Sequence, residues 1–238
     1  VMEPLLTFTL LALATGVAAF IQGAVGIGFA LVVAPVMGLL RPDLLPVALL
    51  ILMLPLNAYV GLRERDAIDW RGVGWVSLGR LPGTLAGLGI LAVVSTNGLN
   101  QLIGASTILA VLAGVFAPVF QPGRGACATV GVVTGVTETA TGVGGPPLAL
   151  LYQHKPGPEL RATIALCFLV GEIISLILLA LSGQFQLHQW FWALALLPAL
   201  ILGSVISRLA HHRLDARRMR ISVLSFAFIS GLVLLIPR

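Results

Sequence analysis

The 238-residue sequence predicts an all-α integral membrane protein made of two inverted repeats, each a glycine-broken re-entrant helical hairpin plus three transmembrane helices. Three observations predict it. Apolar residues make up 58% of the chain and charged residues 10%, whereas a soluble domain carries about 25% charged residues. The chain also repeats itself: moved by 116 positions, Ala24, Gly26, Gly28, Pro42, Leu44, Pro82 and Gly87 fall on Ala140, Gly142, Gly144, Pro158, Leu160, Pro198 and Gly203. Finally, charged and uncharged loops trade places between the halves, so that corresponding loops lie on opposite sides of a membrane.

Apolar segments run over roughly 5–40, 43–62, 72–94, 99–119, 125–152, 160–182, 187–207 and 220–237. Long runs with few charges read as membrane helices. The first and fifth segments differ from the others, because each is long and interrupted by glycine. Read as two helices, 5–21 and 28–40 span about 20–25 Å each, short of the ~30 Å hydrocarbon core. Such arms suit a hairpin that dips in and returns. Residues 1–119 form the first repeat and 120–238 the second.

Loop charge sets the orientation. Arg63, Arg65 and Arg71 make the second connection basic, while its equivalent at 182–189 has no Lys or Arg. The connection 94–101 has none either, yet its equivalent carries Arg208, Arg213, Arg217, Arg218 and Arg220. Three crossings plus a non-crossing hairpin per repeat put these basic loops inside, as the positive-inside rule requires. The competing arrangement is eight full crossings, with long helices tilted. The net charge of +5 is explained by these loops, so no nucleic acid partner is expected.

Paired broken segments are the pattern of a secondary transporter, with its substrate site where the breaks meet. The first tip contains Gln22, Gly26 and Gly28. The second contains Thr137, Glu138, Thr139, Thr141, Gly142, Gly144 and Gly145, followed by Pro146 and Pro147. A helix restarting in the membrane offers unpaired N–H groups and a partial positive charge to an anion. The competing reading of the glycines is close helix packing.

Further polar groups lie within the spans: Asn57, Arg80 and Glu172. A charge at this depth faces a cavity or a partner. Arg80 pairs with a substrate anion, or it bridges to Glu172 or Glu138, or it snorkels to the interface. Glu138 and Glu172 are candidates for a coupling proton, or else structural hydrogen-bonding groups. Cys127 and Cys167 read as small buried thiols, and the four histidines as loop residues. Trp70, Trp75, Trp190 and Trp192 suit an interfacial aromatic belt. Glu3 and the lack of a basic n-region do not suggest a signal peptide. No nucleophile elbow, HExxH, P-loop or dinucleotide fingerprint is present, so the expectation is not an enzyme, with no cofactor and no metal.

A Gly-rich apolar segment, a Pro-Asp/Glu turn, a span, the Asp69-Trp70 loop and a span with Pro82 and Gly87, repeated once, resembles the TauE/SafE sulfite exporter family, also called the toluene sulfonate uptake permease family. Gly142-Val-Gly144-Gly145-Pro146 matches the family's Gly-rich motif, and Gly26-Ile-Gly28-Phe29 matches it in part. Asp69-Trp70 becomes Gln189-Trp190 in the second half, and Arg161-Ala162-Thr163 resembles the turn into the second-half span. The resemblance implies transport of sulfite, thiosulfate, sulfoacetate or other organosulfonates across a bacterial inner membrane. The expected partners are that anion, the lipid bilayer and, in a homodimer, a second copy. The alternative function is an anion channel with a fixed pore.

Overall fold

A computed structural model describes residues 3–25, 28–116, 122–210 and 216–236. Gly26 of the first tip, His211, His212, Arg213 and Arg238 lie outside the described residues. The described chain is helical throughout: α1 (Pro4–Val25), α2 (Phe29–Leu40), α3 (Val47–Arg63), α4 (Trp70–Val93), α5 (Thr96–Phe116), α6 (Arg124–Thr141), α7 (Gly145–Tyr152), α8 (Gly157–Leu181), α9 (Leu187–Ala210) and α10 (Ala216–Leu235). Among the described residues, four stretches are long and apolar enough to cross a bilayer: Pro4–Gly23, Trp70–Val93, Gly157–Leu181 and Leu187–Ser207. Leu78, Leu85, Leu181, Ile201, Leu202 and Ile229 point outward from these and neighbouring helices. An apolar exterior of this kind fits lipid rather than water.

The packing has a reciprocal plan. α4 lies along α6 and α9 along α1, while α3 packs on α8 and α5 on α10. Both lengthwise contacts are built on small residues, which let helix backbones approach closely in a membrane. Gly79, Gly83 and Gly87 sit in turn against the backbone oxygens of Ala128, Val132 and Val136, so α4 and α6 run parallel. A Cβ at Gly87 would lie 2.7 Å from the Val136 oxygen. Gly203 meets the Gly16 oxygen, and a Cβ at Gly23 would lie 2.6 Å from Ser207 Oγ, so α1 and α9 are parallel too.

These contacts change the expected arm lengths. α1 has 22 residues, about 33 Å of rise, because its helix continues through Gly16 and Gly23 where α9 covers them. α6 has 18 residues, about 27 Å. The returning arms are the short ones, with 12 residues in α2 and 8 in α7.

Each broken segment nevertheless turns back on itself. Phe8 near the start of α1 stacks 5.9 Å from the Trp192 ring, and Arg41 just beyond α2 lies 4.8 Å from the same ring. The second pair closes likewise: the Tyr152 hydroxyl at the end of α7 lies against Cys127 near the start of α6. The two mouths lie at opposite ends of α3. Gln189 donates to the Asp43 carbonyl at 2.8 Å near its start, and Arg161 pairs with Glu64 at 2.9 Å just past its end.

Polar side chains pin both loop ends. Asp69 N-caps α4, accepting from the Gly72 N–H at 3.0 Å, and receives the Tyr152 hydroxyl at 3.1 Å. Its own N–H donates to Thr163 Oγ1 at 3.0 Å. At the other end Arg41 hydrogen-bonds Asp43 and holds that carboxyl below its usual range, while His188 Nε2 lies 3.1 Å from Asp43 Oδ2.

Candidate functional site

The first break is made by Gly28, whose φ of 124° lies in the left-handed region and caps α2. A side chain there is strained. Gln22, at the end of α1, accepts the Phe29 N–H at 3.1 Å through Oε1. It satisfies one of the four free donors of the restarting helix. Ala30 and Leu31 supply the next N–H groups of that turn.

The second break is made by Gly142, which ends α6 in the αL conformation at φ 78° and donates to the Glu138 carbonyl at 2.7 Å. Thr141 braces the turn: its Oγ1 donates to the Thr137 carbonyl at 2.6 Å and accepts the Val143 N–H at 3.2 Å. Pro146 and Pro147 occupy the first turn of α7. Prolines fit this position because their missing N–H has no helical partner. The same feature leaves the α7 start with fewer donors than the α2 start.

A cavity of about 180 Å³ lies between the two breaks. Gln22 and Gly28 line one side, and Gly145 and Pro146 the other; Phe29, Met53 and Phe168 complete walls that are mostly apolar. Of the expected site residues, the structure thus brings Gln22, Gly28 and Gly145 to one space. Thr137 and Thr141 face a different groove of about 450 Å³, shared with Ser106 and Leu109. Thr139 bonds to Ser175 of α8 at 2.9 Å. Gly142 sits against Leu49, and Gly144 against Glu138 and Thr134.

The buried charges form their own cluster behind the second break. Arg80, Glu138, Glu172 and Asn57 are all fully buried. Arg80 Nη2 lies 2.5 Å from Glu138 Oε1, a charge contact without hydrogen-bond alignment, and its Nη1 donates to the Cys167 carbonyl at 3.1 Å. Of the readings open for Arg80, the structure places the guanidinium in the bridge to Glu138. Gly171 makes room for it, since a Cβ there would collide with the guanidinium. Asn57 Nδ2 donates to Glu172 Oε1 at 2.6 Å. Glu172 in turn lies within electrostatic reach of Glu138 and Arg80. The cluster is not duplicated by the repeat: the positions equivalent to Arg80 and Glu138 are Leu196 and Gln22.

Sequence reasoning missed the cavity walls. Phe29, Met53 and Phe168 are apolar residues in an apolar chain, and nothing in their spacing separates cavity from core or lipid. It also missed the Cys167 carbonyl as a partner of Arg80, since a backbone acceptor has no residue signature.

Apolar helices with an apolar exterior, two glycine-made breaks beside a cavity and a buried charge cluster are the features of a polytopic helical membrane protein. A family profile described as Sulfite exporter TauE/SafE matches residues 11–234, and the chain belongs to that family. It is 28% identical over 149 residues to a probable sulfite/organosulfonate exporter TauE of Cupriavidus necator, a match covering 59% of this chain and 58% of the relative. No solved structure matches the chain.

Proposed function

We propose that this chain is a secondary transporter that moves small sulfur-containing anions, such as sulfite, thiosulfate, sulfoacetate or other organosulfonates, across the bacterial inner membrane by alternating access. The observation that carries the proposal is a cavity that residues of both helix breaks line together. An anion there meets the first-turn N–H groups of α2 and the positive end of its dipole. The Gln22 amide adds a neutral polar contact. The apolar walls exclude water and raise the value of each such contact. Family membership and the likeness to the Cupriavidus necator protein support the substrate class.

The transport cycle proposed uses two inverted repeats, 1–119 and 120–238, with hairpins entering from opposite faces. Support comes from the reciprocal packing of α4 on α6 and α9 on α1 and from hairpin mouths at opposite ends of α3. Single cysteines at Asp66 and Gln184, which lie in corresponding connections, are expected to react with impermeant thiol reagents from the inside and the outside respectively. Labelling of both from one side contradicts the inverted arrangement.

The transport reading is tested with purified protein in liposomes. A carrier gives saturable uptake of labelled sulfite, thiosulfate or sulfoacetate that is accelerated by unlabelled anion on the far side. Flux that rises linearly with concentration and shows no acceleration marks a channel and rejects the carrier.

A further inference from the structure

The cluster of Asn57, Arg80, Glu138 and Glu172 has a charge count that does not close. Arg80 supplies one positive charge for two carboxyl groups, and all three side chains are fully buried. An uncompensated buried charge is costly enough that the group neutralises instead. The groups facing Glu172 are Asn57 from α3, Arg80 from α4 and Glu138 from α6. The remaining charged groups on α8 and the elements packed against it are Arg63 of α3, Arg71 in the first turn of α4, Arg124 at the first position of α6, the turn residues Arg65 and Asp66, and Glu159 and Arg161 of α8, the latter with its partner Glu64. They gather at the α8 start, 11 positions before Glu172 by the numbering of Arg161, or about 16 Å along the helix. The hydroxyl of Tyr152 from α7 is engaged with Asp69. Arg80 is therefore the one cation facing the cluster among the described residues, and its Nη2 lies on Glu138.

The hydrogen-bond count points to the same place. Asn57 Nδ2 already reaches Glu172 Oε1, which leaves Glu172 Oε2 and Asn57 Oδ1 both buried and both without a partner. Two acceptors cannot satisfy each other. One proton on Glu172 Oε2 turns that atom into a donor toward Asn57 Oδ1. Acid and amide are then joined twice, both orphaned atoms are satisfied, and the cluster becomes neutral. We infer that the cluster holds one resident proton, carried by Glu172 and shared with Asn57, and that this is the proton the carrier exchanges, with Arg80 and Glu138 as its fixed ion pair. The second half of this inference rests on the carrier reading above; the first does not.

Infrared spectroscopy of the full chain in vesicles reads the first half directly. Wild-type protein should show the carbonyl stretch of a protonated carboxyl that shifts in D2O. Glu172→Gln should abolish the band, Asn57→Ala should move it to the position of a more weakly bonded acid, and Glu138→Gln, which leaves one carboxyl for the one cation, should weaken it. Absence of the band in wild type, or its persistence in Glu172→Gln, overturns the inference, and the wild-type spectrum decides even where a variant fails to fold. For the second half, a proton gradient imposed on liposomes should drive uptake by wild type, with the drive lost in Glu172→Gln and retained in the titratable Glu172→Asp. An undiminished response in Glu172→Gln overturns the coupling role. Because the band is recorded without transport, a protein that shows the band but no counterflow upholds the resident proton and sinks the carrier reading.

Discussion

Arg80→Leu is expected to be among the most damaging single substitutions in the protein, lowering stability by about 3–5 kcal/mol, the usual cost of removing one partner of a buried ion pair. The guanidinium is fully buried, touches Glu138 at 2.5 Å and donates to the Cys167 carbonyl. Its removal strands a buried carboxylate. The chain itself supplies the remedy, since the repeat-equivalent positions hold Leu196 and Gln22. The double variant Arg80→Leu/Glu138→Gln should therefore recover a large part of the loss, because no buried carboxylate is then left without its cation. Unfolding of the single and double variants in detergent, compared as a double-mutant cycle, checks this. A double variant no more stable than Arg80→Leu would show that the cost lies in packing rather than in the stranded charge.

Gly144→Leu is expected to abolish substrate binding while the protein still inserts. A Cβ at Gly144 would overlap Glu138 Oε2 and lie 2.8 Å from Glu138 Cβ and 2.9 Å from Thr134 Cγ2. Overpacking of this kind typically costs 1–3 kcal/mol by the general experience of cores, or roughly that here. The displaced Glu138 also leaves Arg80. The neighbouring Gly145 is the control: its Cβ would meet only Phe168 Cζ at 3.7 Å, ordinary contact. Gly145→Ala should therefore bind substrate within about threefold of wild type, the scale of a surface change of less than 1 kcal/mol. Substrate binding measured by calorimetry on both variants separates them. Equal, wild-type binding by Gly144→Leu would remove the second break from the site.

Much of this arrangement was legible in the residues. The repeat offset located both breaks, at Gly28 and Gly142. What was not legible has physical reasons. Helical periodicity places Arg80 on a face of α4 but says nothing about which distant helix lies against that face. Between the two carboxyls open to Arg80, Glu172 and Glu138, the choice follows from Gly79, Gly83 and Gly87, which set α4 in parallel contact with α6. The same glycine chemistry hid the length of α1, which runs past the expected end of the arm at 21 because Gly23 packs beneath Ser207. Asp69-Trp70 and Arg161-Ala162-Thr163 stood out as separate signatures. Their link is a bond from the Asp69 N–H to Thr163 Oγ1 at 3.0 Å, which joins residues 94 positions apart. The threonines of the second tip were legible as polar groups in the membrane but not as to direction. Thr139 serves α8, Thr141 the turn, and Thr137 its own helix, donating to the Val133 carbonyl at 3.1 Å.

The account depends most on the claim that the anion occupies the cavity between the two breaks. Gly145 lines that cavity and has room for a small side chain, whereas Thr137 faces the separate groove beside Ser106. In a background with Cys127 and Cys167 replaced by alanine, Gly145→Cys and Thr137→Cys can each be labelled with a small maleimide at increasing concentrations of whichever anion shows counterflow. The account predicts that the anion slows labelling of Gly145→Cys saturably, with half-protection at its half-saturating transport concentration, and leaves Thr137→Cys untouched. Labelling of Gly145→Cys at the same rate with and without saturating anion would contradict it.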